Sequence, residues 1–222
     1  MLYVIPTPIG NLSDMTYRSI ETLQNVDLIL CEDTRVSQRL LQHYEIKKPL
    51  QSFHAHNEHH VLEKYLELLE NESSIALMSD AGTPGISDPG FLLIRAARQR
   101  GLSVSVLPGA TAIIPAVVGS GIPCDKFHFE GFLPVKKGRK TRMTYLSSLP
   151  HSFILYVSPH KLLKDIDTLI EFCGEDRTAC IVKEISKIYE NYDLGLLHEL
   201  KERWSDKKIK GEYVMVVSGT KN

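Results

Sequence analysis

Short apolar runs alternate with amphipathic stretches along the first half of the chain. Leu2–Ile5, residues 27–31, Ile75–Met78 and residues 103–107 are dominated by Val, Ile and Leu and are too short for buried helices, so they are predicted as strands. Between them, apolar positions three and four apart predict helices ending near Gln24 and spanning residues 36–44, 58–70 and 91–100. Strand and helix in alternation, with two consecutive helices between residues 31 and 75, describe a parallel sheet covered on both faces. A further apolar helix is expected at 113–118. Val118-Gly-Ser-Gly-Ile-Pro-Cys124 then breaks the pattern with two glycines and a proline, and places a lobe boundary between residues 118 and 119. Beyond it, strands at Phe127–Phe132, 153–157, 179–184 and Tyr213–Val217, with helices at 142–149, 160–172 and 196–204, read as an α+β lobe with a mixed sheet. The expected fold is therefore α/β with two lobes, 1–118 and 119–222.

Three connections in the first lobe carry unusual chemistry. Ser79-Asp-Ala-Gly-Thr-Pro-Gly-Ile-Ser-Asp-Pro-Gly90 leads from an apolar strand into a helix with three glycines, two prolines, two aspartates and three hydroxyl residues. Pro6-Thr-Pro-Ile-Gly-Asn11 follows the first strand, with Ser13 or Thr16 available to cap the next helix. Leu107-Pro-Gly-Ala-Thr-Ala112 follows the strand at 103–107. Loops at the carboxyl ends of parallel strands line the crevice where open α/β sheets bind ligands.

Composition narrows what such a crevice serves. The chain has 222 residues, 43% hydrophobic, enough for real cores, and a net charge of −1, so contact with a polyanion must come from a local patch. That patch is Lys136-Lys-Gly-Arg-Lys-Thr-Arg142, five cations in seven residues. Cys31, Cys124, Cys173 and Cys180 form no Cys-x-x-Cys pair and read as reduced thiols. No apolar run reaches membrane-spanning length, and the opening residues lack the basic flank of a signal peptide, so a cytoplasmic enzyme without membrane contact is expected. The motifs G-x-x-x-x-G-K-[ST], G-x-G-x-x-G, H-E-x-x-H and G-x-S-x-G are absent, which removes support for P-loop, dinucleotide, zincin and α/β-hydrolase chemistry. His54, His56, His59 and His60 match no familiar zinc spacing and read as capping and pocket lining, with no metal expected.

The ordered set Thr7-Pro-Ile-Gly-Asn11, Glu32-Asp-Thr-Arg35, His54-Ala-His-Asn-Glu58, the long loop at 79–90, Phe129-Glu-Gly-Phe-Leu-Pro134, Ser158-Pro-His160, Lys183-Glu184 and Gly211-Glu-Tyr-Val214 resembles the tetrapyrrole methylase superfamily. Within it the segments are nearest to the branch that methylates a cytidine ribose 2′-hydroxyl in 16S rRNA. The resemblance implies S-adenosylmethionine as cofactor, 16S rRNA or the small ribosomal subunit as partner, a homodimer, and a cofactor cleft between the lobes. Departures stand beside it: Pro108-Gly-Ala-Thr-Ala112 where Pro-Gly-Pro-Ser-Ala is usual, and Val157 and Lys161 where the branch carries Glu and Arg. The sequence stops at Asn222, where many relatives continue into a helical tail.

A zwitterionic, sulfonium-bearing cofactor without phosphate calls for tight backbone loops and a carboxylate. The expected contacts are Ile9, Gly10, Asp80, Ala81, Gly82, Thr83, Pro84, Thr111, Ala112, Tyr156 and Gly211, with Asp80 supplying the carboxylate. Arg35, Lys136, Lys137, Arg139 and Lys140 are the expected RNA contacts. Lys183 and Glu184 are candidates to help deprotonate the accepting hydroxyl, with Glu32, Asp33 and Arg35 at neighbouring strand ends. Two rivals stay open: a methylase of a corrin or porphyrin ring, and a non-catalytic RNA-binding factor with a vestigial cofactor pocket.

Overall fold

Strands β1 (Leu2–Ile5), β2 (Leu28–Cys31), β3 (Leu50–Ser52), β4 (Ile75–Met78) and β5 (Val104–Val106) form one sheet in the order β3-β2-β4-β1-β5, every pairing parallel. The structure is a computed structural model and describes residues 1–220. Helices α1 (Tyr17–Asn25), α2 (Thr34–His43), α3 (Glu58–Glu70) and α4 (Phe91–Gln99) connect the strands. Strand alternation sends side chains to opposite faces. Leu2, Val4, Leu28, Leu30, Ile75 and Leu77 pack against Tyr65, Leu66 and Leu69 of α3 and Leu93 and Ala97 of α4. Ile5, Ile29, Ala76 and Met78 pack against Leu23 of α1 and Leu41 of α2. Apolar residues on both faces explain why these strands are continuous hydrophobic runs. Thr16 caps α1, its hydroxyl accepting the Ser19 N–H, and Asp33 caps α2, its carboxylate accepting the Arg35 N–H.

The second half holds α5 (Ile113–Gly119), β6 (Phe127–Phe132), α6 (Arg139–Ser147), β7 (Ser152–Val157), α7 (Leu162–Cys173), β8 (Thr178–Lys183), β9 (Asn191–Leu196), α8 (Leu197–Ser205) and β10 (Tyr213–Val217). Its sheet runs β6-β7-β10-β8-β9, parallel only between β6 and β7, so it is mixed as expected. Phe153, Leu155, Ile181, Met215 and Val217 of the sheet meet Leu162, Ile166, Leu169, Leu197, Leu200 and Trp204 in one core.

The chain divides into units 1–111 and 112–222, so the seam precedes α5 where the sequence puts it after that helix. The helix is built into the second unit: the Tyr192 hydroxyl donates to the Pro115 carbonyl, and a Cβ on Gly119 would collide with the Tyr192 ring. The Gly/Pro break after residue 118 is thus a turn inside that unit. All four cysteines are free thiols; Cys31 and Cys180 are buried, whereas Cys124 is exposed.

Candidate functional site

The three Gly/Pro loops of the first unit are tied to one another. Thr7 and Gly82 exchange backbone hydrogen bonds of 2.9 Å, and the Thr7 hydroxyl donates to the Ser79 carbonyl at 3.0 Å. The Thr83 hydroxyl reaches the Ala110 carbonyl at 3.5 Å, and a Cβ on Gly109 would lie 2.7 Å from Pro6 Cβ. Gly82 takes φ +80, left-handed backbone that L side chains rarely adopt, and this conformation brings its N–H and C=O together onto Thr7. Ile9 stands 3.6 Å from where a Gly82 side chain would begin. Expected cofactor contacts Ile9, Gly10 and Ala81 to Pro84 therefore sit on one knitted surface, with Thr111 at the end of this unit. None of the three loops contains Lys, Arg or His. Such a surface suits a ligand with positive groups and no phosphate, and the residues present fit S-adenosylmethionine.

Carboxylates collect at the same sheet edge. Glu32 follows β2, Asp80 follows β4 and His54 lies two residues past β3, three strands that are neighbours in the sheet. Asp80 Oδ1 accepts the Asp33 N–H at 3.1 Å, joining two strand ends instead of stabilising only its own turn. Asp88 is pushed up to about 6 by burial and by the charges of Glu32 and Asp80. Burial and the Asp80 charge also raise Glu32, against the pull of His54. The neighbouring Ser87 sits at φ +63, uncommon for a residue with a side chain, as the loop folds back and Gly85 N–H meets the Pro89 carbonyl. Asn57 ties down the loop ahead of α3 without capping the helix: the His54 N–H donates to Asn57 Oδ1 at 2.8 Å, and the Asn57 amide donates to the Ser52 carbonyl, while no side chain bonds the first N–H groups of α3. Among the described residues no His, Cys, Asp and Glu group is arranged to hold a metal ion.

A cavity of about 310 Å3 opens beside these groups, between Pro8–Leu12, the Val36–Leu40 face of α2 and Ser79–Asp80. The sequence offers Gly10 and Asp80 as cofactor contacts and gives Ser37 no role, because a serine inside a helix carries no signal of its own; the one hint is its spacing from Leu40 and Leu41 on an otherwise apolar face.

Expected site residues of the second unit have their own surroundings. Tyr156 packs between Phe129 and Phe132, ring centroids 5.1 and 5.5 Å away. Val157, where the branch carries Glu, is 3% exposed in the core, so an apolar side chain suits the strand. Glu184 takes φ +54, and its Oε1 accepts the Glu212 N–H at 2.9 Å and the Lys187 ammonium at 3.0 Å. Burial works against ionisation, but the Glu212 N–H with Lys187 and Lys183 holds this carboxyl below its ordinary range. Gly211, at φ +95, makes the room: a Cβ there would lie 2.6 Å from Glu184 Cδ. The Gly211 signal thus has a structural source in Glu184.

The basic segment splits in two. Arg139 is corrected from an RNA contact to a core ion pair: its Nη2 meets Asp165 Oδ1 at 2.6 Å and the Thr168 hydroxyl at 2.9 Å, with only 14% and 5% of the paired side chains exposed. Arg142 is likewise held by Glu130 and stacks on Tyr145. Lys136, Lys137 and Lys140 are exposed and form no ion pair among the described residues. Arg35, in the first unit, bridges Asp33 at 2.6 Å but keeps an 86% exposed side chain; the Arg35 hydrogen bonds hold Asp33 down at about 2.

This architecture and the matching family profile agree. Residues 1–201 match the family described as Tetrapyrrole (Corrin/Porphyrin) Methylases, and the chain belongs to that family. A crystal structure of diphthine synthase shares the fold at TM-score 0.76 and 14% identity, covering 98% of this chain and 89% of that one. A cobalt precorrin-4 methyltransferase gives 0.69 at 17%, covering 98% and 94%. The curated relatives are more specific. Proteins named Ribosomal RNA small subunit methyltransferase I match at 43% identity in Synechocystis sp. (99% of this chain, 79% of the relative) and at 43% in Escherichia coli O157:H7 (99% and 78%). The one from Mycoplasmopsis pulmonis matches at 44% over 97% of this chain and 96% of its own length.

Proposed function

We propose that the chain is an S-adenosylmethionine-dependent methyltransferase that methylates the ribose 2′-hydroxyl of a cytidine in 16S rRNA. The observation that carries this reading is 43% identity over 99% of the chain to relatives named as small-subunit rRNA methyltransferases. The cation-free loops joined through Thr7, Gly82 and Thr83 support the cofactor, since its sulfonium and ammonium groups meet no like charge there. Methyl transfer to a hydroxyl is a displacement at carbon, and alignment of oxygen, methyl and sulfur supplies much of its rate. Glu184, whose carboxylate already holds Lys187 and the Glu212 N–H, enters as a positioning residue with Lys183 beside it. The exposed Lys136, Lys137 and Lys140, with Arg35, supply the phosphate contacts. A homodimer and a cytoplasmic location belong to the same proposal; among the described residues no helix is long and apolar enough to cross a membrane. Incubating the purified protein with small ribosomal subunits and S-adenosylmethionine, then digesting the rRNA for nucleoside mass spectrometry, tests it. A new 2′-O-methylcytidine is expected. Cofactor binding with methyl transfer only to a corrin or porphyrin would install the ring-methylase rival, and RNA binding without cofactor binding the non-catalytic one.

A further inference from the structure

The Phe132 ring lies open to water where the basic segment begins. Phe129 and Phe132 of β6 are three residues apart, so in a regular strand they would point to opposite faces. The register against β7 shifts between Phe129 and Gly131, which makes Glu130 an extra residue and sends both rings to the face that carries Tyr156. Gly131 bears the shift at φ +74. Tyr156 touches both rings, yet Phe132 keeps 60% of its surface exposed on a strand at the edge of its sheet. Val135 beyond it is 61% exposed, and apolar surface gathered in this way marks a contact. The chain that follows has a fixed course. Leu133 is buried in the core, and Arg139 Nη1 donates to the Pro134 carbonyl at 3.3 Å while its N–H donates to the Lys136 carbonyl. Lys136, Lys137 and Lys140 are thereby held close after the ring, exposed and without an ion pair among the described residues. Glu130 is the one acid between residues 127 and 142, and Arg142 and His128 already occupy its carboxylate.

We infer that Phe132 is a stacking platform for one unpaired base of a single-stranded RNA segment, with Lys136, Lys137 and Lys140 holding the phosphates on either side of that nucleotide. The RNA class rests on the function proposed above; the single-stranded form is the new element. An aromatic face beside a cation track is the combination by which single strands are held, the ring taking the base and the cations the backbone. A base inside an A-form helix is stacked on both sides and has no face to offer. Charge also decides against a second copy of the chain as the occupant, since two copies meeting at this patch about a two-fold axis would set the unneutralised lysines against one another. Every base has a π face, so the platform holds the strand without choosing its sequence. The bulge at Glu130 then has two effects: it aims Phe132 outward with Tyr156 against it, and it turns the one local acid onto Arg142 and away from the phosphates.

The test is fluorescence anisotropy of the full chain with a labelled, unstructured single-stranded RNA and with a blunt RNA duplex, each at several salt concentrations. Phe132→Ala should weaken the single strand at least about fivefold, the low end for loss of one base–aromatic stack, and the duplex by less than about twofold. The salt dependence should stay as in the parent, because no phosphate contact is lost. Phe132→Tyr should restore the affinity, whereas Phe132→Leu, apolar but without a π face, should not. Phe132→Trp reads the stack directly: the native chain has one tryptophan, Trp204, which is 3% exposed, so emission from the added indole should be quenched by the single strand and not by the duplex. No binding of the single strand by the parent, equal losses on both RNAs, rescue by leucine or an unquenched indole overturns the inference. So does a Phe132→Ala variant that sediments differently from the parent without RNA, which would assign the face to a second copy. A quenched indole in a protein that forms no 2′-O-methylcytidine on small ribosomal subunits sinks the methyltransferase reading alone, and 2′-O-methylcytidine formed with an unquenched indole sinks the platform alone.

Discussion

Asp88 shows how a residue's place in a loop sets its proton. Burial and the charges of Glu32 and Asp80 raise it to about 6, well above the 3.8 of a free aspartate. The sign follows from linkage. Below about pH 4 the carboxyl is protonated both folded and unfolded, and whatever Asp88 contributes to stability is fully present. As pH climbs through 6 the folded protein must ionise it against two like charges, and that contribution is lost. Asp88→Asn should therefore remove a decline in stability between pH 4 and 6 and leave the variant the more stable protein at pH 7.5, as measured by urea unfolding across pH. Glu32→Gln removes one of the like charges, so the Asp88 carboxyl, followed by 13C NMR, should titrate closer to 3.8; an unmoved midpoint would mean that burial and Asp80 set it without Glu32. Glu184 makes the opposite case. With an ion pair and a backbone N–H already on its carboxylate, Glu184→Gln should keep single-turnover methyl transfer within about tenfold of the parent, short of the 10²–10⁴-fold loss that removal of a proton acceptor brings.

Helix α6 begins with Arg139, Lys140 and Arg142 in or near its first turn, where the helix dipole disfavours cations. The sequence treats the segment as one basic patch, but packing divides it by side-chain reach. Arg139 and Arg142 turn back to Asp165 and Glu130, and the three lysines stay in water. Replacing Lys136, Lys137 and Lys140 by alanine should flatten the dependence of log K on log[salt] by up to about 2.7 units on duplex RNA, at about 0.9 per phosphate contact, with stability unchanged. Arg139→Ala should leave that slope alone and destabilise the protein by about 3–5 kcal/mol in chemical denaturation, since Asp165 would stay buried without its partner. A slope indifferent to the lysines would make the patch ordinary solvated surface. The elements hardest to read were also decided by packing. β3 is three half-buried residues, Leu50 to Ser52, and β9 is an edge strand with Gly195 and exposed positions at Asn191 and Leu194, so neither presents the apolar run that betrayed β1, β2 and β4.

At the scale of the chain, eight of the ten strands and the eight α-helices among the described residues follow from apolar periodicity, because each of those strands buries at least one position and each helix one stripe. Periodicity is silent on which neighbours an element chooses. That is why the sequence puts the seam after α5 and the structure before it, why Arg139 reads as surface until Asp165 is beside it, and why the cavity on α2 shows only once that helix is laid beside the first loop. The loop at 79–90 was legible for the opposite reason. Its glycines and prolines answer to local backbone geometry, and the φ of +80 at Gly82 is what lets it exchange both hydrogen bonds with Thr7. This makes Gly82 a sharp probe of whether the knitted loops hold the cofactor. A Cβ alone would meet Ile9 at an ordinary 3.6 Å, so Gly82→Ala costs only the left-handed strain of about 1–2 kcal/mol. Gly82→Val adds a branched side chain on the face proposed for the cofactor. Cofactor at a hundred times its dissociation constant should raise the stability of the parent by about 2.7 kcal/mol and slow amide exchange at Thr7, Gly82 and Thr83. In Gly82→Val both effects should vanish while exchange in α3 and α4 stays at the parental rate. Retained protection in a folded Gly82→Val variant would take this loop out of the cofactor site.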